Sequence, residues 1–116
     1  LSPHAMQDIY TFVGGEGEMA PDGVVKVVVD ESVERIKNGD FSRWCDRLTH
    51  LHFHSESVTI QTYAFTTPEF EAPTLKEITF QEYCNFNIEQ DAFLDCTNIT
   101  VIKWPRVVHW IVDGKF

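Results

Sequence analysis

The sequence predicts an all-β-rich solenoid, a stack of coils whose short parallel strands are joined by turns or single helical turns. Three observations predict it. Four times an isoleucine is followed five residues later by a phenylalanine: Ile36/Phe41, Ile60/Phe65, Ile88/Phe93 and Ile111/Phe116. Each pair closes the same longer apolar template, led by Val24-Val27-Val29, Leu48-Leu51-Phe53, Leu75-Ile78-Phe80 and Ile99-Ile102-Trp104 in turn. Within the template, stretches such as Leu51-His52-Phe53 alternate apolar and polar residues, as a half-buried strand does. Self-similarity at such a period marks a repeat array, in which one unit cannot bury its own apolar face and must stack on its neighbours.

Residues 1–23 stand outside the template. There Ile9-Tyr10-Thr11-Phe12-Val13 reads as a strand and Gly14-Gly15-Glu16-Gly17-Glu18 as a turn, so this segment is expected to cover the apolar edge of the first coil. The repeat occupies 24–116 as four units, 24–47, 48–74, 75–98 and 99–116, the last one truncated. Three units share the offsets 0, +3, +5, +12 and +17, and the third carries one extra residue before Ile88. The 0, +3, +5 block is the main strand of each unit, and stacked copies should pair in parallel about 4.8 Å apart. A polar turn, Asp30-Glu31-Ser32 or Ser55-Glu56-Ser57, then leads into a second short extended piece holding the +12 isoleucine. Lys37-Asn38-Gly39-Asp40-Phe41 and Gln90-Asp91-Ala92-Phe93 close the coil. The two-proline stretch from Thr66 to Thr74 holds most of the surplus of the longer middle unit and reads as a corner loop. Stacking places like residues in columns. Phe41, Phe65, Phe93 and Phe116 form the clearest one, with Ile36, Ile60, Ile88 and Ile111 beside them as structural core. Trp104 occupies a core offset and is expected to be buried; Trp44 and Trp110 also read as structural.

Several segments carry a more specific pattern. Leu48-Thr49-His50-Leu51-His52-Phe53 is followed by Val58-Thr59-Ile60 and Tyr63-Ala64-Phe65. Asp91-Ala92-Phe93-Leu94-Asp95-Cys96-Thr97-Asn98-Ile99 joins alanine-phenylalanine to a cysteine and an aliphatic residue, and Ile102-Lys103-Trp104-Pro105 has a proline after its strand. In these features, over residues 24 to 116, the chain resembles the BspA-type leucine-rich repeat; its unit starts fall within the 20–29 residue period of leucine-rich repeats. Departures are Asp40 and Lys115 where the family has alanine before phenylalanine, and Cys45 one place late. The resemblance implies a curved right-handed leucine-rich-repeat coil stack acting in recognition or adhesion, often on cell surfaces, and no catalysis. It also implies that Cys96 and Cys45 fill the family's buried cysteine position.

At 116 residues the chain is one domain's worth, and 43% hydrophobic content makes it globular rather than disordered. A net charge of −9 argues against nucleic acid, whose binders carry a clustered basic footprint, and against an anionic membrane surface. No apolar run approaches the roughly 20 residues of a membrane span, and no charged-then-apolar leader is visible. Localisation, at a cell surface or inside a cell, is left open. The chain begins at Leu1 and stops inside a repeat, so it reads as an excerpt from a longer protein.

The sharpest feature outside the repeat is His50-Leu51-His52-Phe53-His54. Alternate residues of a strand share a face, so three imidazoles project together. Counting offsets sets Lys26, Glu77 and Val101 beside His50, and Val28, Thr79 and Lys103 beside His52. Asp30, Gln81 and Pro105 fall beside His54. Three readings follow. The outward face, with Lys26, His50, His52, Glu77, Thr79, Val101 and Lys103, would bind a protein or glycan partner without a cofactor. Alternatively, His50, His52, His54 and Glu77 have the ligand types of a zinc site, although three collinear strand residues converge poorly on a tetrahedral ion. A structural spacer within a larger surface protein is the third reading. Cys45, Cys84 and Cys96 include no C-x-x-C pair; Cys96 and Cys45 read as free core thiols, too far apart in the stack to bridge. The glycosylation tripeptide Asn98-Ile99-Thr100 is expected to start a strand, and Gly14-Gly15-Glu16-Gly17 is a turn rather than a phosphate loop.

Overall fold

The computed structural model describes residues 9–19, 23–41, 47–65, 74–94 and 96–106, together with the backbone of 110–112. It contains nine strands: β1 (Ile9–Phe12), β2 (Lys26–Val29), β3 (Arg35–Ile36), β4 (His50–Phe53), β5 (Ser57–Ile60), β6 (Glu77–Phe80), β7 (Asn85–Ile88), β8 (Val101–Lys103) and β9 (Trp110–Val112). They form two sheets, ordered β1-β2-β4-β6-β8 and β3-β5-β7-β9, and every pairing is parallel. From β2 onward consecutive strands therefore alternate between sheets, which is the topology of a strand-rich solenoid rather than of a closed barrel. Among the described residues there is no helix, and so none long and apolar enough to cross a membrane.

Period-two alternation decides what each strand buries. Val27, Leu51 and Ile78 face inward from the larger sheet, as do Val29, Phe53 and Phe80; Ile36, Ile60 and Ile88 face them from the smaller one. Phenylalanines at the coil's closing turn complete the core. Phe41 and Phe65 stack at 5.3 Å between centroids and Phe65 and Phe93 at 5.0 Å, nearly parallel, while Phe12 from the leader meets Phe41 at 4.9 Å. Two residues ahead of these rings, Gly39, Tyr63 and Asp91 all take positive φ (79°, 57° and 61°). This left-handed residue turns each coil at the same height, and successive turns are bonded, with Gly39 N–H donating to Tyr63 O and Tyr63 N–H to Asp91 O. At the opposite corner Ser55 is fully buried, its hydroxyl donating to the Val33 carbonyl at 2.8 Å. That bond satisfies a polar group that would otherwise destabilise the corner by about 1–3 kcal/mol.

Ahead of the repeat, β1 adds in register to β2, Ile9 opposite Lys26 and Phe12 opposite Val29. The chain then doubles back through Gly14 and Gly17, both at positive φ. Glu18 holds this turn: its carboxylate accepts the Val13 N–H at 3.1 Å, the Gly15 N–H at 2.8 Å and the Tyr10 hydroxyl at 2.5 Å. Partial burial would raise the Glu18 carboxyl, but the Tyr10 and backbone donors outweigh it and hold it below the usual range. Burial and the same hydrogen bond push the Tyr10 phenol up to about 12.

Four expectations need correction or restriction. Trp104 is not buried: the indole stacks on Phe80 and Phe86 and is 48% exposed, because β8 is the outermost strand of its sheet among the described residues. Ile111 does not continue the isoleucine column, for Ile88 pairs with Val112 and Ile111 pairs with Asn87. The extra residue of the third coil recurs in the fourth, so Phe80 to Ile88 and Trp104 to Val112 are both eight-residue intervals (88 − 80 and 112 − 104). Cys96 is only partly buried against the core, whereas Cys84 is buried. Asn98 lies in an exposed turn ahead of β8 rather than at the start of a strand. Phe116, Cys45, Trp44 and the stretch 66–73 lie outside the described residues, as do the side chains of Trp110 and Ile111.

Phe65 stands between two rings, so its removal opens a void with walls on both sides. Phe65→Ala is expected to destabilise the fold by roughly 3–5 kcal/mol in urea titration; a change under about 1 kcal/mol would contradict the column.

Candidate functional site

Register turns the outward residues of the larger sheet into rows. One row runs Ile9, Lys26, His50, Glu77, Val101, and the next runs Thr11, Val28, His52, Thr79, Lys103. One residue past the strands, Asp30, His54 and Gln81 continue the pattern, each N–H donating to a carbonyl of the preceding coil (Phe12, Val29 and Phe53). Five strands at about 4.8 Å make a platform roughly 19 Å wide. The residues singled out from the sequence, Lys26, His50, His52, Glu77, Thr79, Val101 and Lys103, thus lie side by side, all exposed or half-exposed. Sequence reasoning missed Ile9 and Thr11. The alternation of the leader carried the signal, but β1 lacks the repeat's offsets and could not be aligned with them.

The central side chains hold one another. His50 Nδ1 pairs with its neighbour Thr49 Oγ1 at 2.8 Å, and that hydroxyl also reaches the Val25 carbonyl at 3.1 Å. His52 Nδ1 pairs with Thr79 Oγ1 of the next strand at 2.5 Å. The His52 and His54 rings meet edge to face with centroids 4.8 Å apart. Burial, and then the nearby His54, lower the His52 pKa from the ordinary imidazole value.

This arrangement does not assemble the zinc constellation of His50, His52, His54 and Glu77. Two imidazoles, His52 and His54, meet rather than three. Among the described residues no group of three or more His, Cys, Asp or Glu side chains is placed to hold a metal ion. Burial pushes the Cys84 thiol up to about 11, the direction expected of a structural rather than a reactive cysteine.

Comparison with known protein families agrees with this geometry. The family described as BspA type leucine rich repeat region (6 copies) matches residues 22–116. The chain belongs to the BspA-type leucine-rich repeat family. No curated protein and no solved structure matches it. Leucine-rich repeats are generally non-enzymatic and serve as protein-interaction or structural modules, so the chemistry to seek on this one is surface complementarity.

The lowered His52 pKa predicts a pH dependence of stability for this leucine-rich repeat. Folded protein takes up a proton at His52 less readily than the unfolded chain, so stability rises with pH across that titration. The contribution is complete above the ordinary imidazole value of 6.5 and is lost as pH falls through the lowered value of the folded state. Urea midpoints should therefore fall as the pH is lowered from neutral through the imidazole range, and His52→Gln should flatten that dependence. An unchanged slope in the variant would contradict it.

Proposed function

We propose that the outward face of the five-stranded sheet recognises a protein partner, displayed on four coils at 24–47, 48–74, 75–98 and 99–116 with residues 1–23 as the leading cap. One observation carries the reading: the centre of the face is pre-organised. There His50, His52 and Thr79 are half-buried, and His50 and His52 are held by threonine partners. Side chains already ordered lose less conformational entropy on binding, a saving of about 0.5–1.5 kcal/mol for each rotamer-rich group.

Size and chemistry narrow the partner. Three rows about 6.8 Å apart span roughly 14 Å, which with the 19 Å width gives on the order of 270 Å² of flat face. A standard interface buries about 800 Å² on each side. The platform by itself therefore suits a loop or extended segment rather than a globular surface. Neither registered row contains tryptophan or tyrosine, the rings on which the apolar faces of sugars stack, so protein is favoured over glycan. Ile9, Val28 and Val101 supply apolar contact; Lys26, Lys103 and Glu77 supply charge of both signs.

A photo-crosslinking amino acid at Val101 or Thr79, compared with one at Asn87 on the smaller sheet, tests this in extracts of the source cells. Defined protein adducts are expected from Val101 and Thr79 and not from Asn87. Equal labelling from both sheets, or none from either, would favour a spacer.

A further inference from the structure

The leader covers the two sheets unequally. It gives the larger sheet an added strand, β1, then turns back at Gly14–Gly17 before reaching the smaller sheet. Glu18 locks that reversal through Val13, Gly15 and Tyr10. As a result β3 is the outer strand of its sheet, and no described strand pairs with its far side. Along that side lies an open groove of about 390 Å³, lined by Val13, Gly14, Val33, Glu34, Arg35 and Lys37 among others. Its volume falls within the roughly 300–1,000 Å³ of ligand sites.

Backbone polarity shows what the edge can accept. Residues of a parallel strand direct both main-chain groups alternately to one neighbour and the other. The Glu34 and Ile36 carbonyls accept Thr59 and Gln61 N–H from β5, at 2.9 and 2.8 Å. Arg35 between them consequently turns its N–H and C=O toward the groove, and they have no partner among the described residues. The Val33 N–H is taken by Asp30 O and the Lys37 N–H by Asp40 Oδ2, so the available ladder is short.

Charge indicates the guest. Arg35 and Lys37 are both exposed, two residues apart on one face, and neither has an ion-pair partner among the described residues. Among the described residues lining the groove Glu34 is the one anion, and the Asp40 carboxylate sits at its end on the Lys37 N–H. In a chain of net charge −9, two cations without ion-pair partners thus share the face on which a residue opposite Arg35 would emerge.

We propose that the outer edge of β3 takes an extended acidic polypeptide segment as an added parallel strand, at a site separate from the face of the larger sheet. A guest residue opposite Arg35 lies between two hydrogen bonds. The carbonyl before it accepts the Arg35 N–H, and the N–H after it donates to the Arg35 carbonyl. Its side chain emerges on the face of Arg35 and Lys37, where a carboxylate pairs with them, and its two neighbours turn toward Val13 and Val33. An apolar-acidic-apolar triplet fits this edge. With two main-chain bonds and exposed charges the affinity is low and sensitive to salt.

The test is amide chemical-shift mapping by NMR with the acetylated and amidated peptide Ser-Val-Glu-Val-Ser. Saturable shifts are expected at Arg35, Ile36 and Gly14. They should vanish when the peptide is N-methylated at the residue after glutamate, and weaken several-fold with Arg35→Glu or in 0.5 M salt (~4 Å screening length). Arg35 is exposed, so that variant should keep the dispersed spectrum of the folded protein. No shift at millimolar peptide, undiminished shifts with the N-methylated peptide, or shifts confined to the His50 and His52 strand would each overturn the proposal.

Discussion

No coil of this chain can bury its own apolar face. Each presents a few inward residues, and these leave water only when the coils above and below present the same residues at the same height. Parallel pairing at about 4.8 Å imposes that height, and the side chains then fall into columns. Slipping one strand by a single residue would turn its inward set to solvent. Burial and register are therefore one constraint seen twice. The phenylalanine column shows it most directly, since Phe65 touches Phe41 on one side and Phe93 on the other. The shared left-handed residue at Gly39, Tyr63 and Asp91 keeps each coil's closing turn at the height this requires.

The outward surface inherits its order from the same constraint. Once Leu51 and Phe53 are inward, His50 and His52 must be outward, and pairing then sets Lys26 and Glu77 beside one and Val28 and Thr79 beside the other. The leader extends the platform by one strand, and no described strand pairs with the smaller sheet's first edge. One end of this leucine-rich repeat thus offers both a flat face and an open edge, two surfaces of different chemistry set by where a single turn reverses.

Most of the strand register was legible because the apolar offsets recur; the rows through His50 and His52 follow from counting alone. Ile111 was misplaced because Ile111 and Val112 are adjacent and both apolar, so hydrophobic identity cannot say which one opposes Ile88. Trp104 was misread for a different reason. Its offset marks an inward position, but exposure depends on what lies beyond it in the stack, a property no local pattern carries. Ile9 and Thr11 escaped because the leader lacks the template. Glu18 and Ser55 escaped because a buried or turn-locking polar group has no periodic signature. Counting sets the three histidines on one side of the sheet, but how their rings turn belongs to the folded state, where only His52 and His54 meet.

If the core is a series of nearest-neighbour columns, its energetics must be pairwise along the stack and additive beyond it. Double-mutant cycles with leucine, which keeps each site apolar, measure this directly. Phe41→Leu with Phe65→Leu should show a coupling of about 0.5–1.5 kcal/mol, as contacting aromatic rings do. Phe41→Leu with Phe93→Leu, rings separated by Phe65, should be additive within about 0.5 kcal/mol. Additivity for the adjacent pair, or equal coupling for the separated one, would contradict the stack.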